Sequence, residues 1–502
     1  MKKTIVIITV LVAMVSIAMV QDSPKFGSNL KIGKQADIAT IYPWEMTDLE
    51  TLYVFQNIYE PLARLKRETA EIEPCLATDW QASPDYKTWT FHLRKNVKFH
   101  DGSPFTADSV LSTLALRQNF PAKIKKIDEY TVSFSLDKPN AAFAITMSIE
   151  YYSIAGPSTI KCFQEKCDKP IINGTGPFKF YNWTPDKEFS MKANENYWGG
   201  RPYLDGVTFI PFRNNAELIA ALKNGTIHLT HGILPGNISE IRNISDITFQ
   251  SLPALSIGYL GFNTEKTPFN NPKVRIALAH AINKKEVIDR YFYRGLAGMS
   301  AKSCLPAAMF GFYKELPDRE YNPQKARLLL KQAGFPNGFE ATLLPTGAIR
   351  PYMPDPVQIA ENIKKYLEAI GIKITIVPAR TWKDFLIATF NGTFDLVLFG
   401  WIADTVDPND FLTSMLTAKS IGSTNTVRWS NPAFDDLVER ARGEGISDRV
   451  KTYQEAQQMF YGEMPFIPLD NAMQLAAWNE KVKGYKIHPA ARLYLHSVWL
   501  SD

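Results

Sequence analysis

Past residue 20 the sequence has no apolar run long enough to cross a bilayer, which excludes a chain of several membrane helices. It has no low-complexity stretch and no internal repeat, so neither a disordered chain nor a solenoid is indicated. Strong charge of one sign is also missing. There are 56 basic and 51 acidic residues, and about +3 remains once Lys2 and Lys3 are removed with the leader, too little to imply a nucleic-acid partner. Catalytic signatures are absent: no zinc-binding His-Glu-x-x-His, no Gly-x-Ser-x-Gly elbow, no phosphate-binding P-loop and no dinucleotide glycine pattern. No enzyme and no cofactor are expected.

Cysteine is scarce, with four residues. Cys162 and Cys167 enclose the short loop Phe163-Gln164-Glu165-Lys166 and make a candidate local disulfide in an oxidising compartment. Cys75 and Cys304 are far apart in sequence, and spacing does not say whether they meet. Metal ligation by four scattered thiols is the weaker reading. His228-Leu229-Thr230-His231 invites a metal reading too, but on a strand residues three apart face opposite sides, so none is assigned.

What is present begins with an address. Lys2-Lys3, the apolar run from Ile5 to Val15 and Ser16-Ile17-Ala18 match the three regions of a secretory signal peptide, taken as residues 1–20; a single N-terminal anchor is the alternative. The protein is expected to be periplasmic or otherwise extracytoplasmic. With 502 residues, 45% of them hydrophobic, the chain exceeds what one core supports, and two or more domains follow.

Trp89-Thr90-Phe91-His92-Leu93 and Thr131-Val132-Ser133-Phe134-Ser135-Leu136 alternate in polarity and predict strands. Ile359, Ile363, Leu367 and Ile370 recur at helical spacing after Pro356, Gly371 stops the helix, and Lys373 to Val377 predicts a strand. Similar helix-to-strand units begin at Pro323 and Trp382, the latter leading to the apolar strand Asp395–Gly400. A mixed α/β architecture follows.

Several blocks carry a resemblance. They are Ala77-Thr78-Asp79-Trp80, Phe99-His100-Asp101-Gly102-Ser103-Pro104-Phe105-Thr106-Ala107-Asp108, Gly174-Thr175-Gly176-Pro177-Phe178, Asn196-Tyr197-Trp198-Gly199-Gly200, Val274-Arg275-Ile276-Ala277-Leu278 and Arg428-Trp429-Ser430-Asn431-Pro432. In that order, along nearly the whole mature chain, the sequence resembles family 5 extracellular solute-binding proteins, and most resembles their dipeptide-binding branch. The resemblance implies a periplasmic-binding-protein-like α/β fold: two lobes, a hinge of two crossing segments and a large first lobe, three subdomains in all. Lobe I would comprise residues 21–261 and 470–502, with an inserted subdomain at about 51–175, and lobe II residues 262–469. The crossings would fall near Gly258–Asn263 and Phe466–Leu469. The implied function is the binding component of an ABC importer: a monomer that takes short peptides, above all dipeptides, to a membrane permease. The same family also includes carriers of nickel chelates, haem and glutathione, which stay open as alternatives.

A dipeptide is a zwitterion with ends about 7 Å apart when extended. A closed site must neutralise both, with an Arg fork for the carboxylate and an acid for the ammonium. Arg350, in Arg350-Pro351-Tyr352-Met353-Pro354, matches the Arg-Pro-Tyr whose arginine holds the carboxylate in dipeptide-binding relatives. Asp404 follows an apolar strand and matches the acid that meets the ammonium; Asp407 is its competitor, better suited to orienting the turn before Pro408. Trp401, Tyr352 and Trp382 stand beside these charges as cleft walls or as core. One departure concerns access: between Leu116-Arg117-Gln118 and Ile124 the chain is shorter than in dipeptide-binding relatives.

Overall fold

The computed structural model describes residues 23–46, 48–117, 120–403 and 405–502. The signal peptide expected at residues 1–20 lies outside them. Among the described residues no helix is long and apolar enough to cross a membrane.

One strand ties the molecule together. Phe466–Asn479 is 14 residues long, about 45 Å of extended chain, and it changes partners along its length. Its first residues run antiparallel to Ser256–Phe262, with Gly261 opposite Phe466 and Tyr259 opposite Pro468. Its later residues pair with Ile247–Pro253, from Met473 opposite Pro253 to Asn479 opposite Ile247. A register shift at Gly258 and Tyr259 marks the change. It sits beside Pro468, which has no N–H to give a regular ladder. The strand therefore exchanges one partner for the other between Asp470 and Met473, and the neighbouring chain leaves its first strand at Pro253 and enters its second at Ser256.

On one side of this strand the sheet continues through Leu229–Thr230, Asn29–Lys34, Gly206–Pro211, Glu188–Ala193 and Phe178–Thr184. On the other it continues through Ser256–Phe262, Leu396–Ile402, Glu340–Leu344 and Lys373–Ile376. The second set holds the helix-to-strand units foreseen above. Helix Pro356–Glu368 buries Ile359, Ile363 and Leu367 in the cluster that also contains Leu343, Ile374, Leu396 and Leu398. Each such side chain removed from water stabilises the fold by about 1.5–3 kcal/mol. The helix ends where the Ile372 N–H returns to the Leu367 carbonyl at 3.0 Å and Gly371 takes φ +93°, a conformation that favours glycine.

A separate four-stranded antiparallel sheet, in the order Ala77–Ala82, Thr88–Leu93, Thr131–Ser135 and Lys123–Asp128, has its own aromatic core. Trp89, Phe91 and Leu93 point inward in alternation. Phe91 meets Phe134 edge-on at 5.4 Å, and Phe134 lies 5.2 Å from Phe143.

Cys162 and Cys167, the candidate disulfide pair, lie close enough for their thiols to interact. Both are free thiols, as are Cys75 and Cys304. Helix Pro157–Glu165 turns Cys162 inward, where its thiol donates to the Lys169 carbonyl at 3.4 Å. The left-handed turn at Lys166 then carries Cys167 to the surface.

Candidate functional site

Two cavities occupy the cleft between the lobes. The larger, about 680 Å³, has Asp48, Leu52, Tyr151 and Tyr152 on one side and Ala403, Thr405, Asp410 and Arg442 on the other. The smaller, about 180 Å³, has Glu50, Tyr53 and His231 facing Ile349, Arg350, Pro351 and Ile402.

Arg350 is placed by a tight turn. Its N–H donates to the Met353 carbonyl at 3.2 Å, and the Met353 N–H donates back at 2.9 Å. The turn is pinned by Tyr352, only 4% exposed, which packs in the core rather than against the cavity. Two glycines make its seat. A Cβ on Gly400 would come within 2.4 Å of the Tyr352 ring and 2.3 Å of the Ile257 carbonyl oxygen. One on Gly258 would come within 2.6 Å of the Tyr352 carbonyl oxygen. Burial raises the Tyr352 hydroxyl pKa far above its ordinary value, so the ring stays neutral. With Tyr352 sunk below, Arg350 emerges above it.

The Arg350 guanidinium lies 4.3 Å from the centre of the Trp382 ring. Trp382 is stacked on Phe385 at 5.3 Å, and Phe385 in turn packs against Phe399 at 5.2 Å. Among the described residues no carboxylate pairs with Arg350; its side chain makes a long 3.4 Å contact to the Ile349 carbonyl and a hydrogen bond with the neutral Tyr352 hydroxyl. A cation held over an aromatic face and lining a cavity is ready to receive an anion.

Asp404 lies outside the described residues. Its neighbours Ala403 and Thr405 both line the larger cavity, and the Ala403 N–H donates to the Leu255 carbonyl at 2.8 Å, continuing the sheet to the cleft edge. Asp407, its competitor, is committed elsewhere. Its carboxylate caps helix Pro408–Leu416 by accepting from the Asn409 N–H at 2.9 Å. It also accepts two bonds from Arg449, at 2.5 and 2.6 Å, with both side chains almost wholly buried. Trp401 is half-buried and packs against the cluster containing Phe385, Phe399 and Val406, on the face of its strand away from Leu398.

The opposite wall contains a residue that sequence reasoning missed. Glu50 lines the same small cavity as Arg350, and burial raises its pKa. Its Oε1 accepts from the Gln35 N–H at 3.2 Å, while Oε2 is buried without a partner among the described residues. Nothing distinguishes Glu50 in the sequence, where it reads as an ordinary acid in the first turn of helix Leu49–Phe55. The two histidines considered for metal do not converge. His228 Nδ1 accepts from the Lys31 N–H at 3.1 Å, whereas His231 Nε2 meets the Tyr485 hydroxyl at 2.6 Å and its ring stacks on Tyr53 at 4.8 Å. No cluster suited to a metal ion occurs among the described residues.

Comparison with known proteins gives this architecture its place. Heme-binding protein A of Haemophilus influenzae is 34% identical over 473 residues, covering 86% of this chain and 85% of that protein. The dipeptide-binding protein of Escherichia coli is 30% identical over 477 residues, covering 88% of each. The crystal structure of a dipeptide-binding protein from Pseudoalteromonas sp. SM9913 in complex with Met-Leu superposes with a TM-score of 0.80 at 27% identity, over 94% of this chain and all of that one. The model of the bacterial extracellular solute-binding proteins, family 5, middle region, matches residues 71–423. With this fold, this cleft and matches along most of its length, the chain belongs to the family 5 bacterial extracellular solute-binding proteins.

Proposed function

We propose that the protein is the extracytoplasmic binding component of an ABC importer and captures dipeptides or other short peptides in the cleft between its lobes. The observation that carries this reading is Arg350, a cation seated on Trp382, lining the cavity and without an acid partner among the described residues. Held there, it fits the C-terminal carboxylate of a peptide, with Asp404 assigned to the ammonium and Glu50 as a further acid on the facing wall. Trp382 and Trp401 shape the apolar surroundings, and Tyr352 acts from below by fixing the Arg350 turn.

The lobes divide where the long strand exchanges partners. Lobe I takes the residues before Pro253 and after Met473, with the inserted subdomain at about 51–175, and lobe II takes Ser256 to Asp470. Two chain crossings side by side make a hinge, and closing it excludes water from a small ligand and presents occupancy as a change of shape. We assign a membrane permease as the protein partner, a monomeric state, export by the leader at residues 1–20, and binding without catalysis.

A second reading, capture of haem by the same cleft, is favoured by the 34% identity to the Haemophilus influenzae heme-binding protein. Mass spectrometry of the ligand released on denaturing freshly purified protein separates the two. Short peptides support the first reading. Haem, with its Soret absorption in the native protein, would replace it.

A further inference from the structure

Arg117 is 5% exposed, and its Nε, Nη1 and Nη2 are all buried without a carboxylate partner among the described residues; the hydrogen-bonding group beside them is the neutral hydroxyl of Tyr151. Its guanidinium lies 4.1 Å from the centre of the Tyr151 ring and 5.5 Å from that of Tyr152. Both tyrosines line the larger cavity of the cleft. The adjacent carboxylate, Glu150, is already taken by Arg492 at 2.6 Å, within the protein interior. Burial pushes Arg117 down to about 10, which still leaves it charged at neutral pH.

The magnitudes show what is missing. Contact with an aromatic face offsets about 0.5–2 kcal/mol, whereas an ion removed from water costs several kcal/mol unless an opposite charge joins it. The two rings leave most of that cost uncovered. A buried cation with no counter-charge among the described residues thus stands directly behind the surface that a ligand would touch.

We propose that Arg117 is a second anion-holding point of the cleft, taking a carboxylate that the ligand carries in addition to its C-terminal one. The preferred substrates are then peptides with an acidic side chain, which Arg350 holds by the chain end and Arg117 by the side chain. Tyr151 and Tyr152 flank the second point and yield to admit the carboxylate. This deepens the peptide reading and rests on it.

The test is calorimetric titration of the ligand-free full-length mature protein with Ala-Ala, Ala-Glu and Glu-Ala, repeated on Arg117→Met. The wild type is expected to bind at least one acidic dipeptide roughly tenfold more tightly than Ala-Ala, and the variant to lose that preference. Its melting temperature without ligand should be unchanged or higher, because an uncompensated buried charge is gone. Equal wild-type affinity for all three dipeptides overturns the proposal. So does an equal loss for all three in the variant, as a structural role or a closing contact with Asp410 would give. If no dipeptide binds the wild type, the peptide reading alone fails, and Arg117 is judged on the ligand that copurifies. That ligand must then carry an acidic group and be lost from Arg117→Met; its retention overturns the site.

Discussion

Arg350 and Trp382 form a cation-on-ring pair at 4.3 Å, and the pair joins two separate elements of lobe II: the turn before helix Pro356–Glu368 and the first residue of helix Trp382–Asn391. The ring holds the guanidinium in place without neutralising it. The charge therefore stays available while its position is set, which limits the ordering cost on binding.

Arg350→Ala should weaken dipeptide binding by about 2–5 kcal/mol, since the ligand carboxylate would be enclosed without its partner. Arg350 is only half-buried, so the melting temperature of the free protein should barely move. Calorimetric titration beside a thermal melt checks both, and affinity within threefold of wild type would take Arg350 out of the site.

The two aspartates near Pro408 should separate cleanly. Asp407→Asn breaks a buried pair with Arg449 and should destabilise the fold by about 3–5 kcal/mol. Asp404→Asn should leave the melting temperature near wild type and lower affinity for dipeptides. Chemical denaturation and titration of both variants decide the matter, and the reverse pattern would exchange their roles.

Gly400→Ala places a methyl group within 2.4 Å of the Tyr352 ring and 2.3 Å of a backbone oxygen. Overpacking of this kind costs about 1–3 kcal/mol. Because Tyr352 anchors the turn that presents Arg350, the substitution should reduce peptide affinity as well as stability, although Gly400 lines neither cavity of the cleft. A melt and a titration on the same sample test the coupling.

The buried histidines should lower stability on mild acidification. Burial lowers the pKa of His100, His231 and His488 to about 4 in each case, below the ordinary value of about 6.5. A depressed histidine is neutral when folded and takes up a proton when unfolded. Its contribution is thus complete above pH 6.5 and is lost as the pH falls from 6.5 towards 4, by about 1.4 kcal/mol per pH unit per histidine at most. Burial raises the carboxyls of Glu50, Glu150 and Asp470, which act in the opposite sense. The check is therefore a comparison: melting curves from pH 7.5 to 4.5 should fall less steeply in His231→Gln than in the wild type, and identical slopes would refute the histidine contribution.

Much of lobe II could be read from local order. The spacing of Ile359, Ile363 and Leu367, the stop at Gly371 and the apolar run from Leu396 needed only helix and strand periodicity, and each element stands where its pattern placed it. The alternation of Trp89, Phe91 and Leu93 likewise marked both a strand and its inward face. The side-chain environments were less readable. Tyr352 and Trp382 look alike as aromatic neighbours of Arg350, yet one is core and the other a platform, because glycines 258 and 400 open room for only the former.

The sequence by itself determined the family, the α/β class and the order of the elements, because these depend on motifs and periods that span few residues. The folded arrangement alone set where the long strand exchanges partners, that Glu50 faces the cavity of Arg350, that Asp407 belongs to Arg449, and that Arg117 is buried without a counter-charge among the described residues. Each of these depends on residues from different elements brought within a few ångströms. Pairing, burial and desolvation at such distances are properties of the folded arrangement, and no local pattern encodes them.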